Sequence, residues 1–131
     1  MGLGLSIVTP ERTVVDEEVD EVVLPGEEGE FGVLPSHEPF LSALRPGVVR
    51  YQVGGQAHLV AMSTGFVEVS EEHTVVLART AEHPSEIDPA RADAARARAE
   101  QELREPGLSR EAAARLEGAV ARAAARRSVV G

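Results

Sequence analysis

The chain has 131 residues, 43% of them hydrophobic, a net charge of −9, no cysteine and no lysine, a size that allows one ordinary domain or a smaller one with an appendage. The missing cysteine excludes disulfides, thiolate zinc sites and thiol catalysis. No apolar run reaches the roughly 18 residues of a membrane-spanning helix, and the acidic balance argues against nucleic acid, which wants a basic footprint.

The first residues, Met1-Gly2-Leu3-Gly4-Leu5, lack a basic segment followed by a long apolar stretch, so they read as the start of a strand and not as a signal peptide. Leu3, Leu5 and Ile7 alternate with small or polar residues, the period of a half-buried strand. Val14-Val15 follows, then an acidic run, Asp16-Glu17-Glu18-Val19-Asp20-Glu21, which reads as a solvated turn. Val22-Val23-Leu24, Val48-Val49, Leu59-Val60, Phe66-Val67-Glu68-Val69 and Thr74-Val75-Val76-Leu77 are further short, β-branched runs. Turn signals separate them: Thr9-Pro10, Pro25-Gly26, Pro46-Gly47 and Gly54-Gly55, the last fitting a two-residue hairpin. Short strands at this spacing predict an antiparallel β-sandwich or flattened barrel over residues 1–86.

Residues 87–131 read as two helices forming an antiparallel hairpin. Asp88 is a good N-cap and Pro89 suits the first helical position, where its missing N–H has no partner to lose. Alanine, arginine and glutamate carry the first helix from Ala90 to about Arg104. Glu105-Pro106-Gly107 stops it, and Ser109 caps a second helix to about Arg127, inside which Gly118 costs about 1 kcal/mol against alanine. The turn is short enough to make the helices neighbours. Their apolar stripes, Ala92, Ala95, Ala99 and Leu103 on one and Ala113, Leu116, Val120 and Ala123 or Ala124 on the other, are mostly methyl groups. Such a pair forms easily and docks weakly. It suits either a segment with two resting places or a fixed cap on the sandwich. Charge divides along the same line: residues 1–86 hold 15 acids and 4 arginines, residues 87–131 hold 7 acids and 9 arginines. Two segments with different surfaces and partners are expected.

One stretch is more particular than generic turns. Val23-Leu24-Pro25-Gly26-Glu27-Glu28-Gly29-Glu30-Phe31-Gly32-Val33-Leu34-Pro35-Ser36-His37-Glu38-Pro39, continuing through Phe40-Leu41-Ser42-Ala43-Leu44-Arg45-Pro46-Gly47, closely resembles the signature of the epsilon subunits of F-type ATP synthases. Gly65-Phe66-Val67-Glu68-Val69 resembles that family's next strand, and Ile87-Asp88-Pro89-Ala90-Arg91-Ala92 its hinge and helix start. The resemblance runs in order along essentially the whole chain. It implies a non-catalytic central-stalk rotor subunit of a bacterial synthase, peripheral on the cytoplasmic face of the plasma membrane. Its partners would be the gamma subunit, the c-ring, and the alpha and beta subunits when the helices extend. It implies that Glu27, Glu28, Gly29, Glu30 and Phe31 form a loop near the c-ring, with Glu30 the best candidate for a polar contact, and that Ser36, His37 and Glu38 lie toward gamma. The C-terminal helices would inhibit ATP hydrolysis when extended. No cofactor or metal is required, but in some bacterial members the folded helices bind ATP. The matching positions are Glu82, Ile87, Asp88, Arg91, Ala92, Arg98, Arg122 and Arg126. Arginine forks suit phosphate oxygens, although Ala/Arg/Glu helices also carry arginines for solubility alone. Two other readings stand beside this one. The first is a free-standing sandwich whose helices capture an anionic ligand or acidic partner. The second is an acid/base enzyme using His37 and Glu38, which requires a concave pocket around them.

Overall fold

The structure, a computed structural model, describes residues 2–131; Met1 lies outside the described residues. Strand β1 (Leu3–Val8) buries Leu3, Leu5 and Ile7, and pairs antiparallel with β2 (Thr13–Val19). The register shifts where Ile7 meets Val15 and Val8 meets Thr13, so Val14 is an extra residue and both Val14 and Val15 are buried. The acidic run is not a turn. Asp16, Glu17 and Glu18 are exposed strand residues opposite Ser6, Leu5 and Gly4, and only Asp20 sits between β2 and β3 (Glu21–Gly26). The reason is position: β2 ends the sheet, and outward carboxylates protect an open edge from further strand pairing.

Strand β4 (Gly29–Val33) returns along β3, so the expected loop over 27–31 shrinks to a hairpin tip at Glu27-Glu28. Then follow β5 (Phe40–Leu44), β6 (Gly47–Val53), β7 (Gln56–Met62), β8 (Gly65–Val69), β9 (His73–Ala78) and the two-residue β10 (Ala81–Glu82). The β6–β7 hairpin turns through Gly54 and Gly55 at φ +59° and +80°, the two positive values this turn requires. The ladder order β10-β7-β6-β3-β5-β8-β9-β1-β2, with β4 on β3, resolves into two five-stranded layers. They join at one corner, where Gly26 pairs with Leu44. There a Cβ on Gly26 would stand 2.6 Å from the Gly29 carbonyl oxygen, so no larger residue fits. Among the described residues the sandwich has one parallel pairing, β1 with β9. Leu3, Leu5, Ile7, Val22, Leu24, Val49, Val60, Val67 and Val76 meet between the layers, every one of them fully buried.

A single 3-10 turn (Pro84–Glu86) leads to α1 (Pro89–Leu103) and α2 (Arg110–Val130). Both caps are as expected: the Asp88 carboxylate accepts from the backbone of Ala90 and Arg91, and the Ser109 hydroxyl from Ala112. The Arg127–Asp93 ion pair at 3.2 Å joins the end of α2 to the start of α1, so the hairpin is antiparallel. Helix α2 lies on the outer face of β6 and β7, where Ala125 and Val129 are buried against Ala61 with Val48, Leu59, Ile87 and Val130 around them. No helix among the described residues is long and apolar enough to cross a membrane.

Candidate functional site

Three surfaces carry the residues of interest. The first is the β3–β4 hairpin. Glu27 and Glu28 at its tip and Glu30 in β4 are exposed, while Gly29 is half-buried at φ +134°. Phe31 turns inward, edge-on to Phe40 with centroids 5.4 Å apart. Half-buried, it braces the hairpin from inside. Ser36, His37 and Glu38 lie in the connection from β4 to β5, and the Ser36 N–H donates to the Glu71 carbonyl at 2.9 Å. His37 packs on Phe40, and its Nδ1 donates to the Glu38 carbonyl at 2.9 Å. One ring nitrogen is therefore spent on the main chain next to it.

The second surface was not foreseen from the sequence. On the outer face of the second layer, Ala43 is opposite Phe66, Phe66 opposite Leu77, and Leu77 opposite Val8, an apolar row crossing β5, β8, β9 and β1. Leu41 stands on the same face, two residues from Ala43. Leu41, Phe66 and Leu77 are 70%, 57% and 56% exposed. A groove of about 690 Å³ runs beside the row, with Thr9, Pro10 and Glu27 on its walls. The available signal was Phe66 itself, a phenylalanine sharing its strand face with Glu68 and so pointing away from the core.

The third lies at the junction of sandwich and helices. A cleft of about 210 Å³ is lined by Glu82, Glu86, Ile87, Asp88, Arg91, Ala92, Ala95 and Arg126. Six of the eight expected nucleotide-binding residues therefore converge; Arg98 and Arg122 are not among its walls. Three carboxylates face two guanidiniums there, and Arg126 Nε already donates to Glu82 at 2.6 Å. The junction is pinned to the sandwich. Arg12 Nη1 and Nη2 donate to the two Glu86 oxygens at 2.7 and 2.9 Å, and Nη2 also donates to the Ala81 carbonyl at 3.1 Å. His83 Nε2 donates to the Val14 carbonyl at 2.9 Å. The Arg12 fork, helped by the His83 backbone N–H, holds the Glu86 carboxyl down from 4.5 to about 2. A depressed carboxylate stabilises the fold fully above its unfolded pKa and loses that contribution as pH falls through the folded value. The contribution of this pair should thus be complete above about pH 4.5 and fade toward pH 2. Urea midpoints of the native chain and Arg12→Ala, measured across that window, should converge at its acid end. The Glu86 carboxyl resonance of the variant should titrate higher than in the native chain, back toward the ordinary 4.5, the His83 N–H still holding it somewhat down.

Comparison with known proteins adds three findings. Residues 2–84 match the family model of the ATP synthase Delta/Epsilon chain β-sandwich domain. An ATP synthase epsilon chain of Desulforamulus reducens is 52% identical over 103 residues, covering 79% of this chain and 78% of the relative. One of Nitratidesulfovibrio vulgaris is 54% identical over 101 residues, covering 77% and 75%. Among solved structures, a chain of the Euglena gracilis mitochondrial ATP synthase OSCP/F1/c-ring assembly superposes with a TM-score of 0.85 at 22% identity. The match covers 99% of this chain and 82% of that one. A chain of the Tetrahymena thermophila mitochondrial ATP synthase central stalk and c-ring gives 0.65 at 10% identity, covering 100% and 98%. At those identities the structural likeness speaks to the fold.

Proposed function

The chain belongs to the ATP synthase epsilon-chain family, and from that premise we propose that it is a non-catalytic central-stalk subunit that transmits rotation between a c-ring and the nucleotide-bearing head. The observation that carries the proposal is the apolar row Ala43–Phe66–Leu77–Val8 on the outside of a stiff sandwich. An exposed apolar face of this kind marks an interaction surface, and the partner proposed for it is the gamma subunit. Torque transmission needs area and rigidity, not a reactive group. The fully buried valine and leucine core supplies the rigidity. The Glu27-Glu28 tip and Glu30 present carboxylates to the polar loops of the c-ring. Ser36, His37 and Glu38 extend the gamma contact beyond the apolar row.

In this proposal α1 and α2 are the regulatory part. Folded on β6 and β7 they leave rotation free; extended along gamma toward the alpha and beta subunits they oppose hydrolysis. ATP held at the junction cleft favours the folded arrangement through its higher affinity for that state. The site is cytoplasmic and peripheral, with the membrane reached only through the complex.

Isolation of the synthase from native membranes provides the test. The chain should remain with gamma and the c-ring through purification and appear once per rotor. Recovery only as a free monomer would overturn the proposal and favour a separate binding module.

A further inference from the structure

Two connections, the β1–β2 turn and the 3-10 turn before α1, meet in one knot of polar bonds. The first is closed by Thr9: its N–H donates to the Arg12 carbonyl at 2.9 Å, and its hydroxyl accepts the N–H groups of Glu11 and Arg12 at 3.3 and 3.2 Å. This self-bonded turn aims the Arg12 guanidinium at Pro84–Glu86. The fork takes both Glu86 oxygens and the Ala81 carbonyl, and His83 Nε2 reaches the Val14 carbonyl. The 3-10 turn also bonds to itself. The His83 N–H donates to Glu86 Oε1 at 2.8 Å, the Glu86 N–H to the His83 carbonyl at 3.0 Å, and the Ile87 N–H to the Pro84 carbonyl at 3.2 Å. Glu86 lies two residues beyond the matched sandwich domain, residues 2–84, yet its side chain is spent on the sandwich.

The bonding changes character after Glu86. Among the described residues no hydrogen bond or ion pair joins α1 to a strand: Asp88 caps its own helix, Arg96 pairs with Glu100, and Asp93 pairs with Arg127 of α2. Helix α2 is seated by apolar contact with Ala61 and by the Arg126–Glu82 pair. The backbone is stiffened on both sides of one point. Pro84 and Pro89 have φ fixed by their rings, and His83 and Asp88, each preceding a proline, are held extended at ψ 155° and 110°. Ser85 and Glu86 are fixed by the 3-10 turn. Ile87, at φ −102° and ψ 131°, is left in the broad extended region with no ring and no following proline to restrict it.

We infer that Arg12 is a positioning residue: its clamp makes the Pro84–Glu86 turn part of the sandwich, so that α1 and α2 open as a separate unit jointed at Ile87. The ion pair in the clamp is exposed and by itself weak, as surface pairs are. The hold is collective, because the forked pair, the Ala81 carbonyl bond and the His83–Val14 bond must all break before the turn can leave. An opening that stops at Ile87 breaks none of them and is therefore the easier path. Folded chains divide into cooperative units along such boundaries. The consequence is a fixed origin for the helical pair on the sandwich. Without Arg12 that origin retreats to the end of β10, and the tether gains residues 83–86, about 13 Å of reach. The inference depends neither on assembly into a synthase nor on a regulatory part for the helices.

The experiment is hydrogen exchange of the full, isolated chain, followed amide by amide by NMR in rising, sub-denaturing urea. The helical amides should exchange through an opening that the strand amides do not share. The His83 and Glu86 amides should follow the strands in the native chain. In Arg12→Ala they should follow the helices, exchanging several-fold faster than before, the range of a surface ion pair. Arg12→Lys should restore part of the protection, because the charge returns without the fork. A role for Arg12 in general stability alone would instead speed strand and turn amides by the same factor. Arg12 is exposed, so its variants should fold, and circular dichroism checks this independently. Four results overturn the inference: one common opening for strands and helices, His83 and Glu86 amides that exchange with the helices or faster than both groups in the native chain, an unchanged grouping in Arg12→Ala, or equal acceleration of strands and turn.

Discussion

Replacing Phe66 with glutamate should release the chain from the gamma subunit while leaving the sandwich folded. Phe66 is 57% exposed, whereas its strand neighbour Val67 is fully buried, so the substitution faces away from the core. The fold should therefore change by well under 1 kcal/mol, as for most surface substitutions. The interface should suffer far more. Phe66 lies between Ala43 and Leu77 in the middle of the apolar row, where a docked partner would exclude water most completely. Aromatic anchors in such positions are typical hot spots, costing about 2–4 kcal/mol when lost, or roughly 30- to 1,000-fold in affinity. A glutamate adds the cost of burying an unpaired charge. Leu77→Glu, the cross-strand neighbour, should act in the same direction. Gln56→Glu, beside the Gly54-Gly55 turn of the other layer, is the matched control and should bind as the native chain does. Thermal unfolding checks the fold, and co-precipitation with gamma, or calorimetry, checks the interface. Retained affinity in both face variants would place the gamma contact elsewhere.

How much of this was legible in the sequence depends on the range of the forces involved. Strand β1, the Gly54-Gly55 hairpin and the Asp88-Pro89 helix start are local: alternation, positive φ and capping are decided within a few residues, and each is found as expected. Strands β4, β5 and β10 are not local. Phe31 and Phe40 sit among glycine, proline and glutamate with no clear period, and become strand residues because β3 and β8 offer ladders to them. The acidic run reads as a turn for the same reason, since charges on an edge strand look like charges in a turn. The junction was legible by residue type and not by place. Arg98 is seven residues past Arg91 and nominally on its face, yet about 10 Å further along the helix. That distance separates it from a cleft that Arg91, Ala92 and Ala95 line. Which side of α2 meets the sandwich decides that Arg126 reaches Glu82, and no pattern within α2 specifies it. The apolar row likewise depends on the register of four strands at once.

Deleting residues 88–131 should leave a folded, assembling sandwich and raise ATP hydrolysis by the intact synthase several-fold, with synthesis little changed. The first half follows from the division of the core. The main buried cluster contains residues of the strands alone, and none of the two helices. What the helices cover is small: Ala61, with Val48 and Leu59 around it. The second half follows from the weakness of that docking. Burying Val129 contributes roughly 1.5–2 kcal/mol and each alanine methyl about 0.8 kcal/mol. The total is a few kcal/mol, the range in which two arrangements of one segment can both be populated. Moving such an equilibrium from 1:99 to 99:1 requires about 5.5 kcal/mol of differential affinity. Docking on β6 and β7 is thus strong enough to bias the position of the helices and too weak to lock them. Ala125→Glu, which puts a charge into the α2 seat, should then act opposite to deletion, unseating the helices and lowering hydrolysis. Hydrolysis rates of reconstituted synthase carrying the native, deleted and Ala125→Glu chains separate the cases. Three equal rates would mean that the helices are a fixed cap with no regulatory part.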